Sequence, residues 1–250
     1  MSAVPVSRAP LTVVSYNIHR GVGRDGHADT ERIARVVQEI SPDLLALQEV
    51  DSGLEGAPVP GQLERLHRML GLECVSGVTL RREDAAYGNA VFSRLPIRRV
   101  RLHDISVDGV EPRGVIDLDL DLPEEPVRLL ATHLGLRSSE RRHQVARLSS
   151  ILERNPDLPL VLVGDFNDGR SRWGPLSDLG RRFGRWSGPR TYPARRPLLR
   201  LDRILADPGR WDVERVWAHR SALASRASDH LPVCARMRLR SRSDRCIPTG

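Results

Sequence analysis

The chain has 250 residues, of which 40% are hydrophobic and 28% are charged. This composition excludes a disordered or fibrous protein, and the length is sufficient for one domain with a full hydrophobic core. The formal net charge is +7, and all 39 basic residues are Arg. A basic surface suits a phosphate-bearing partner, but the absence of Lys favours a coding bias, so charge alone does not establish nucleic-acid binding.

The ends of the chain and its cysteines indicate the compartment. No segment reaches the roughly 20 apolar residues that span a bilayer, and the N-terminal stretch lacks the apolar core of a signal peptide. The three Cys residues have no CxxC spacing, which is typical of reduced thiols. We therefore predict a cytoplasmic protein without an integral membrane segment. Its predicted organisation is a flexible N terminus over 1–10, a single domain over 11–240 and a flexible Arg-rich tail over 241–250.

Strands and helices alternate in the first part of the chain. Residues 11–17 form an apolar, β-branched run that predicts a buried strand. Apolar side chains at helical spacing between Asp29 and Pro42 predict a helix that starts at a capping residue and stops before a proline. "LLALQEV" predicts a second buried strand that ends at Glu49. A short helix over 62–70 and a strand in "GNAVFSRLPI" follow.

The second part of the chain begins with an alternating strand, "RGVIDLDLDLP". Its period of two predicts one solvent-facing side that carries Asp117, Asp119 and Asp121 as solvated residues, not as metal ligands. "VRLLATHL" predicts a strand, "SSERRHQVARLSSILER" a helix and "LPLVLVGDFN" another strand. After an irregular stretch over 169–200, "RLDRILA", "WDVERVWAH" and "SDHLPVCARMRL" complete a domain dominated by strands.

Polar side chains follow several of these apolar strands at the carboxyl end. They are Asn17, Glu49, His133, Asp165 and Asn167. In layered α/β folds such strand ends gather at one edge, so we expect these groups to share a cleft. Carboxylate and amide oxygens suit Mg²⁺ or Mn²⁺ and not a structural zinc. A hard cation beside a His and amide donors indicates hydrolysis of a phosphate ester.

Two further motifs add a carboxylate and a carboxylate–histidine pair. Asp202 in "RLDRIL" lies within an apolar strand, where a carboxylate is costly unless it is paired. Asp229 and His230 are adjacent in "SDHLPV". Neighbours on an extended chain point in opposite directions, so we expect one of them to face a metal and the other to face water.

These segments together resemble the endonuclease/exonuclease/phosphatase superfamily, which includes pancreatic deoxyribonuclease, abasic-site endonucleases, sphingomyelinases and inositol polyphosphate phosphatases. The resemblance is carried, in the family's order, by "SYNIHRG", "LQEV", "YGNAVFSRLPI", "EPRG", "ATHLG", "GDFND", "LDRIL" and "SDHLPV". It implies an α/β fold of the DNase I-like kind, a two-layer αββα sandwich in which two mixed sheets are flanked by helices.

The resemblance also implies a metal site and a base. By matching motif, Glu49 would be the principal Mg²⁺ ligand, with Mn²⁺ as a substitute, and Asn17 and Asp229 would ligate directly or through water. His230 would be the general base or would position the attacking water. Asp202 would fix the tautomer of His230.

The remaining residues that match the family's motifs would act on the phosphate. Asn167 and His133 would contact the scissile phosphate, and Asp165 would orient the nucleophile or Asn167. Whether this carboxylate or the histidine of "SDHLPV" activates water stays open. Asn89 and Arg113 are candidates for substrate binding, and the guanidinium has a structural ion pair as its alternative role.

Departures from the motifs of known subfamilies indicate which branch of the superfamily the chain resembles. His19 stands where abasic-site endonucleases carry an Asp, and His133 stands where they use a Tyr. "PLLRL" replaces the Trp and Cys that precede the "DRIL" segment in inositol phosphatases. The other motifs resemble those of a bacterial branch related to sphingomyelinase-like and deoxyribonuclease-like hydrolases.

The leading hypothesis is a monomeric, Mg²⁺-dependent phosphoric ester hydrolase, with a phosphodiester as the favoured substrate. A nuclease would use Arg clusters as a phosphate track, whereas a phospholipid hydrolase would use the segment 169–200 as a lid, with Trp173 and Trp186 against an apolar tail. A binding module without turnover is disfavoured, because every expected position is kept. Solvated arginines are the plainer interpretation of those clusters, which are Arg181, Arg182, Arg185, Arg195, Arg196, Arg200 and Arg203.

Overall fold

Two mixed β-sheets pack face to face between layers of helices, which confirms the predicted α/β sandwich. The computed structural model describes residues 9–51, 61–81, 86–169, 176–184 and 188–241. The first sheet has the order β10 (Trp211–Ala218), β11 (Val233–Leu239), β1 (Leu11–Asn17), β2 (Leu44–Asp51), β4 (Ala86–Ser93) and β3 (Glu73–Arg81). The second has the order β5 (Ile97–Asp104), β6 (Gly114–Leu120), β7 (Val127–His133), β8 (Leu160–Asp165) and β9 (Asp202–Ala206).

Each sheet has one parallel pair near its centre. β1 runs parallel to β2, and β7 runs parallel to β8, while the other neighbours are antiparallel. A parallel pair needs a crossover connection, and the helices α1 (Thr30–Ile40) and α3 (Ser138–Leu152) lie within the two connections. The carboxyl ends of both pairs therefore point to one end of their sheet. We define the rim as the place where these strand ends from the two sheets meet.

The helices agree with the predicted ones in the first half of the chain. α1 begins where the Asp29 side chain accepts a hydrogen bond from the backbone N–H of Arg32, and it ends at Ser41 in a left-handed conformation. α2 spans Gln62–Leu70, as predicted. In the described part of the chain, two short α-helices were not predicted, α4 (Ser177–Phe183) within the stretch interpreted as irregular and α5 (Ala224–Ala227). Both are too short to show a helical period in the sequence.

Three clusters of buried residues follow from the alternation along the strands. Val13 of β1 packs in the cluster between the two sheets, whereas its neighbour Val14 packs against α1. A third cluster joins the outer face of the second sheet to α3 and α4, and Leu130 and Leu148 belong to it. Successive side chains of a central strand thus enter different layers, which explains why these strands are apolar throughout.

The solvent-facing interpretation of the β6 aspartates was wrong for two of the three. Asp117 is fully buried and Asp119 is nearly so, whereas Asp121 is exposed. Asp117 accepts hydrogen bonds from Arg128, itself 1% exposed, and from Arg101. An alternating pattern cannot distinguish a strand face exposed to solvent from one covered by cations, because the Arg residues that cover the face come from other parts of the sequence.

Several predictions on the ends of the chain lie outside the described residues. These are the flexible segments, of which 1–8 and 242–250 are not described. Within the described part of the chain, no helix is long and apolar enough to cross a membrane. Cys74 and Cys234 are free thiols, and Cys246 lies outside the described residues.

Candidate active site

The polar strand ends converge at the rim. Asn17 ends β1, and its amide nitrogen donates to Glu49 Oε1 at 2.9 Å and to Asp165 Oδ2 at 3.0 Å. Glu49 belongs to the first sheet and Asp165 to the second. One amide therefore joins carboxylates from both sheets, as the strand-end pattern led us to expect.

The orientation of the Asn17 amide bears on its predicted role. Its oxygen accepts a hydrogen bond from the backbone N–H of His19 at 3.0 Å, so the nitrogen faces the two carboxylates. In this geometry Asn17 orders the carboxylates through its N–H groups. Direct ligation through its oxygen stays a prediction.

His230 and Asp202 form a buried pair next to Asp165. His230 Nδ1 donates to Asp202 Oδ2 at 2.8 Å, and its Nε2 lies 3.8 Å from Asp165 Oδ2. Burial alone would lower the pKa of His230, but the carboxylates of Asp202, Asp165 and Asp229 outweigh it and raise the pKa to about 10. The Tyr192 ring packs at 4.8 Å from the imidazole. The ring of His230 is thus held with Nε2 toward the rim.

Asn167 and His133 form a second group on the other side of Asp165. The Asn167 amide nitrogen donates to the Leu134 carbonyl at 2.8 Å and lies 3.1 Å from His133 Nε2. The backbone N–H of Asn167 donates to Asp165 Oδ1 at 2.9 Å. Burial lowers the pKa of His133 to about 3, so its imidazole is neutral near pH 7. The neutral ring can therefore accept at Nε2 from the Asn167 amide, whose other N–H is taken by the Leu134 carbonyl.

Unusual backbone conformations concentrate at the rim. Glu49, Asn167 and His19 have φ values of 60, 49 and 46°, in a region that non-glycine residues rarely adopt. Glu49 lies where the pairing of β2 with β4 shifts register between Leu47 and Val50. Such strain persists only where the surrounding structure imposes it, and it is concentrated at functional sites. These conformations therefore support the rim as the candidate functional site.

Three predicted residues lie around this centre. Asp229 is half-exposed, with Oδ1 4.0 Å from His19 Nδ1, and it adjoins Ser228, whose hydroxyl donates to the Asn17 carbonyl. Asn89 is buried on β4 opposite the irregularity that contains Glu49.

Arg113 is buried and pairs with Glu111. This ion pair matches the alternative role predicted for the guanidinium. It also lies close enough to His133 to contribute to the lowering of that pKa.

A cavity of about 520 Å³ opens beside Glu49. Its polar lining comes from His19, Arg20, Glu49, Asp51 and Glu111, and its apolar lining from Leu80, Tyr87 and Pro112. The cavity was not predicted from the sequence, because β3 and the 111–113 loop reach the rim only in the folded chain. Of the residues that line it, Tyr87 could have been noticed in the sequence, since it directly precedes the "GNAVFSR" segment.

Among the described residues, the predicted Arg clusters are not all on the surface. Arg203 is buried and donates to the Asp168 carbonyl, so it is neither part of a surface track nor the solvated arginine of the plainer interpretation. Arg181 pairs with Asp178, and Arg182 lies 3.5 Å from Asp207. Arg185, Trp173 and Trp186 lie outside the described residues.

The donor set fits a hard divalent cation. Asp165, Asp202 and His230 each offer a ligand atom within 4.8 Å of the others, and Glu49 joins Asp165 through the Asn17 amide. Asp202 Oδ1 is buried with no hydrogen-bond partner among the described residues. Buried carboxylate oxygens normally have a partner, and oxygen-rich sites of this kind suit Mg²⁺ or Mn²⁺.

A two-sheet sandwich with carboxylates, amides and histidines at its rim defines the DNase I-like class of phosphoester hydrolases. The chain belongs to the Endonuclease/Exonuclease/phosphatase family, whose model matches residues 14–230. This match confirms the resemblance carried by the sequence motifs. Members of this family are hydrolases that act on phosphoester bonds.

Individual relatives are similar to this chain over most of its length. The uncharacterized protein YbhP of Escherichia coli (strain K12) is 32% identical over 249 residues, covering 91% of this chain and 96% of YbhP. An endonuclease/exonuclease/phosphatase from Beutenbergia cavernae superposes with a TM-score of 0.74 at 24% identity, over 93% of this chain and 72% of that one. The mannosyl-6-phosphatase Bt3783 of Bacteroides thetaiotaomicron gives 0.68 at 20% identity, over 91% and 99%. These structural similarities show the shared fold.

Proposed function

We propose that the protein is a Mg²⁺-dependent phosphoric ester hydrolase, with a phosphodiester as its favoured substrate. One observation carries the proposal: the Asn17 amide joins Glu49 to Asp165, and His230 adjoins the same Asp165 with its Nδ1 fixed by Asp202. Hard ligands, a histidine and amide donors therefore surround one point at the rim. That combination is what hydrolysis of a phosphate ester requires.

Glu49 would hold the cation, with Asn17 and Asp229 beside it. When bound, Mg²⁺ supplies positive charge that neutralises the phosphoryl oxygens. The chain's own groups add to this: the Asn167 amide and the neutral His133 lie 3.1 Å apart, and the N–H of Asn167 that faces the ring would turn to a phosphoryl oxygen. Charge that develops in the transition state is thereby stabilised by a donor of the chain itself.

Near pH 7 the surrounding carboxylates keep the His230 imidazole protonated, since they outweigh the effect of burial and raise its pKa to about 10, and a cation held at Glu49 would oppose their effect. In its neutral form His230 would take the proton of the attacking water at Nε2. The water oxygen forms the new bond to phosphorus, the ester oxygen leaves, and the proton passes to the imidazole. Asp202 keeps the other ring nitrogen protonated by accepting from Nδ1, so the unprotonated form presents Nε2. Asp165, 3.8 Å from Nε2, is the alternative acceptor of the proton.

Two variants test this assignment. His230→Ala should abolish Mg²⁺-dependent hydrolysis of bis(p-nitrophenyl) phosphate, because the base is removed, while the variant folds and binds Mn²⁺ in calorimetry. Glu49→Ala should chiefly weaken metal affinity. If His230→Ala kept a large part of the activity, the base assignment would be wrong. An unchanged Mg²⁺ dependence in Glu49→Ala would remove Glu49 as the ligand.

A plasmid assay separates the substrate classes. Supercoiled plasmid is incubated with Mg²⁺ and either the wild type or His230→Ala, purified identically so that contaminating nucleases affect both. Nicking by the wild type alone would support a nuclease. No nicking by either would direct the search to phospholipid head groups and small phosphate esters.

A further inference from the structure

Arg203 is a buried cation that has no role in the chemistry described above. It is 5% exposed and directly follows Asp202 on β9. Successive side chains of a strand point to opposite faces, so the two residues serve different layers. Asp202 reaches His230, whereas Leu205, on the same face as Arg203, packs in the outer cluster with Phe166. The Arg203 side chain therefore lies on the outer side of the second sheet.

The guanidinium of Arg203 contacts both chain neighbours of Asn167. Its Nη2 donates to the Asp168 carbonyl at 2.6 Å, and its central carbon lies 5.9 Å from the centre of the Phe166 ring, within the range of a cation–π contact. Phe166 and Asp168 are buried, whereas Asn167 between them is half-buried. Arg203 is too deep to touch a substrate, so its contacts act on the turn 166–168.

This turn holds Asn167 in a conformation that needs restraint. Asn167 has a φ of 49°, in the left-handed region that costs a residue with a side chain free energy. In this conformation its backbone N–H donates to Asp165 Oδ1, and its side-chain nitrogen reaches the Leu134 carbonyl and His133 Nε2. A turn without restraint would relax to commoner backbone angles and carry the amide away from the rim.

The Arg203 side chain keeps its charge in this buried place. Burial lowers the pKa of Arg203 to about 10, although the carboxylates of Asp168 and Asp165 raise it. The guanidinium is therefore cationic near pH 7. A neutral side chain of the same length would lose the hydrogen bond to the Asp168 carbonyl and the attraction to the Phe166 ring together.

We propose that Arg203 is a positioning residue for Asn167, which holds the turn 166–168 so that the Asn167 amide stays within reach of the phosphate. Asp202 and Arg203, adjacent on β9, would then position the two sides of the site, one through His230 and the other through Asn167. The inference rests on the proposed function, because that function gives Asn167 its contact with a phosphoryl oxygen.

A double-mutant cycle tests it. Arg203→Met removes both contacts, and kcat for hydrolysis of bis(p-nitrophenyl) phosphate with saturating Mg²⁺ should fall by about 10²-fold, the loss expected for one misplaced donor. In an Asn167→Ala background the same substitution should change kcat by less than about twofold. Losses that multiply in the double variant would overturn the proposal, because Arg203 would then act through Asp202 or through stability alone.

Arg128→Met is the matched control for burial. Arg128 is 1% exposed and also donates to a backbone carbonyl, that of Ile151, but it lies near the start of β7, away from the rim. Urea unfolding should show a loss of stability in both variants, whereas kcat should fall only in Arg203→Met. An equal fall of kcat in Arg128→Met would overturn the proposal. Should Arg203→Met fail to fold, Arg203→Lys keeps the charge and gives the same cycle with a smaller loss.

The side-chain amide of Asn167 gives a readout that needs no turnover. Its nitrogen–proton NMR signals are identified by their absence in Asn167→Ala, and they should shift in Arg203→Met but not in Arg128→Met, because the bonds of the amide are disturbed only in the first. Unchanged signals in Arg203→Met would overturn the proposal. Absence of Mg²⁺-dependent hydrolysis by the wild type would contradict the proposed function instead, and the amide signals would then decide whether Arg203 holds the turn.

Discussion

Asp202 is the residue on which the geometry of His230 depends. It is fully buried as the first residue of β9, opposite Asp165 in the sheet register. Its Oδ2 fixes Nδ1 of His230 at 2.8 Å. A carboxylate at this depth is costly unless it is paired, and the imidazole of His230 is the partner of its Oδ2.

Asp202→Asn keeps the shape but removes the charge. We expect kcat for phosphate ester hydrolysis to fall by about 10²–10⁴-fold, because an amide can hold the wrong tautomer of His230. The measurement is steady-state hydrolysis of bis(p-nitrophenyl) phosphate with saturating Mg²⁺. Asp212→Asn, on an exposed position of β10, is the control and should keep full activity. A turnover of Asp202→Asn within threefold of the wild type would contradict the positioning role.

At the scale of single elements, a glycine in β8 directly precedes Asp165 and lies three residues before Asn167. Gly164 has φ 154°, and a Cβ there would lie 2.0 Å from the Thr132 carbonyl oxygen of β7. The two parallel strands therefore approach too closely for any side chain at this position. The glycine sets how far Asp165 projects beyond the sheet.

Gly164→Ala should destabilise the protein by about 3 kcal/mol or more, because the clash is with backbone. Chemical unfolding measures this, and hydrolysis should fall with it because Asp165 moves. Gly180→Ala is the matched control, since a Cβ at this helical position meets nothing within 4 Å, and it should be neutral or stabilising by up to about 1 kcal/mol. Equal stability of the two variants would show that β7 and β8 separate without cost.

The buried ion pairs of β6 connect that strand to α3. Arg128 donates to Asp117 and also to the Ile151 carbonyl near the end of α3. Burial on its own would raise the pKa of Asp117, but hydrogen bonds from Arg128, Arg101 and His103 outweigh it and hold the pKa well below its usual value. The carboxylate thus contributes stability as long as it stays ionised.

Asp117→Asn should lower the free energy of unfolding at pH 7 by about 3 kcal/mol, because a buried cation loses its partner. The folded-state pKa is depressed, so this contribution is present above the unfolded pKa of about 3.9 and is lost as the pH falls toward the folded pKa. Urea unfolding between pH 7 and 3 should show a steeper acid decline for the wild type than for the variant. Asp121→Asn, at an exposed site of the same segment, should follow the wild type.

The elements differ in how far sequence patterns could predict them. Strands β1, β2, β7 and β8 are apolar runs that end in polar residues, and both features are local, so they were predicted correctly. The burial of Asp117 was not, because Arg101 and Arg128 come from neighbouring strands. The helix α4 was missed because its seven residues include Gly180 and follow a stretch rich in Arg and Gly.

At the scale of the whole molecule, the sequence predicted which residues reach the rim but not how they meet. The strand-end pattern and the family resemblance together indicated Asn17, Asp165 and His230. The contact of Asn17 with Asp165 spans 148 positions along the chain and depends on how the two sheets pack. No local pattern contains that information, and the cavity between β3 and the 111–113 loop was hidden for the same reason.

The amide of Asn17 is bonded to one carboxylate from each sheet, and this has a thermodynamic consequence. A cation bound beside Glu49 and Asp165 would bind only where the sheets are packed together, so its binding free energy adds to the free energy of unfolding. At a concentration 100 times the dissociation constant the gain is about 2.7 kcal/mol. Mg²⁺ should therefore raise the melting temperature of the wild type but not of Glu49→Ala, and the cation that serves the reaction would also hold the two layers of the fold together.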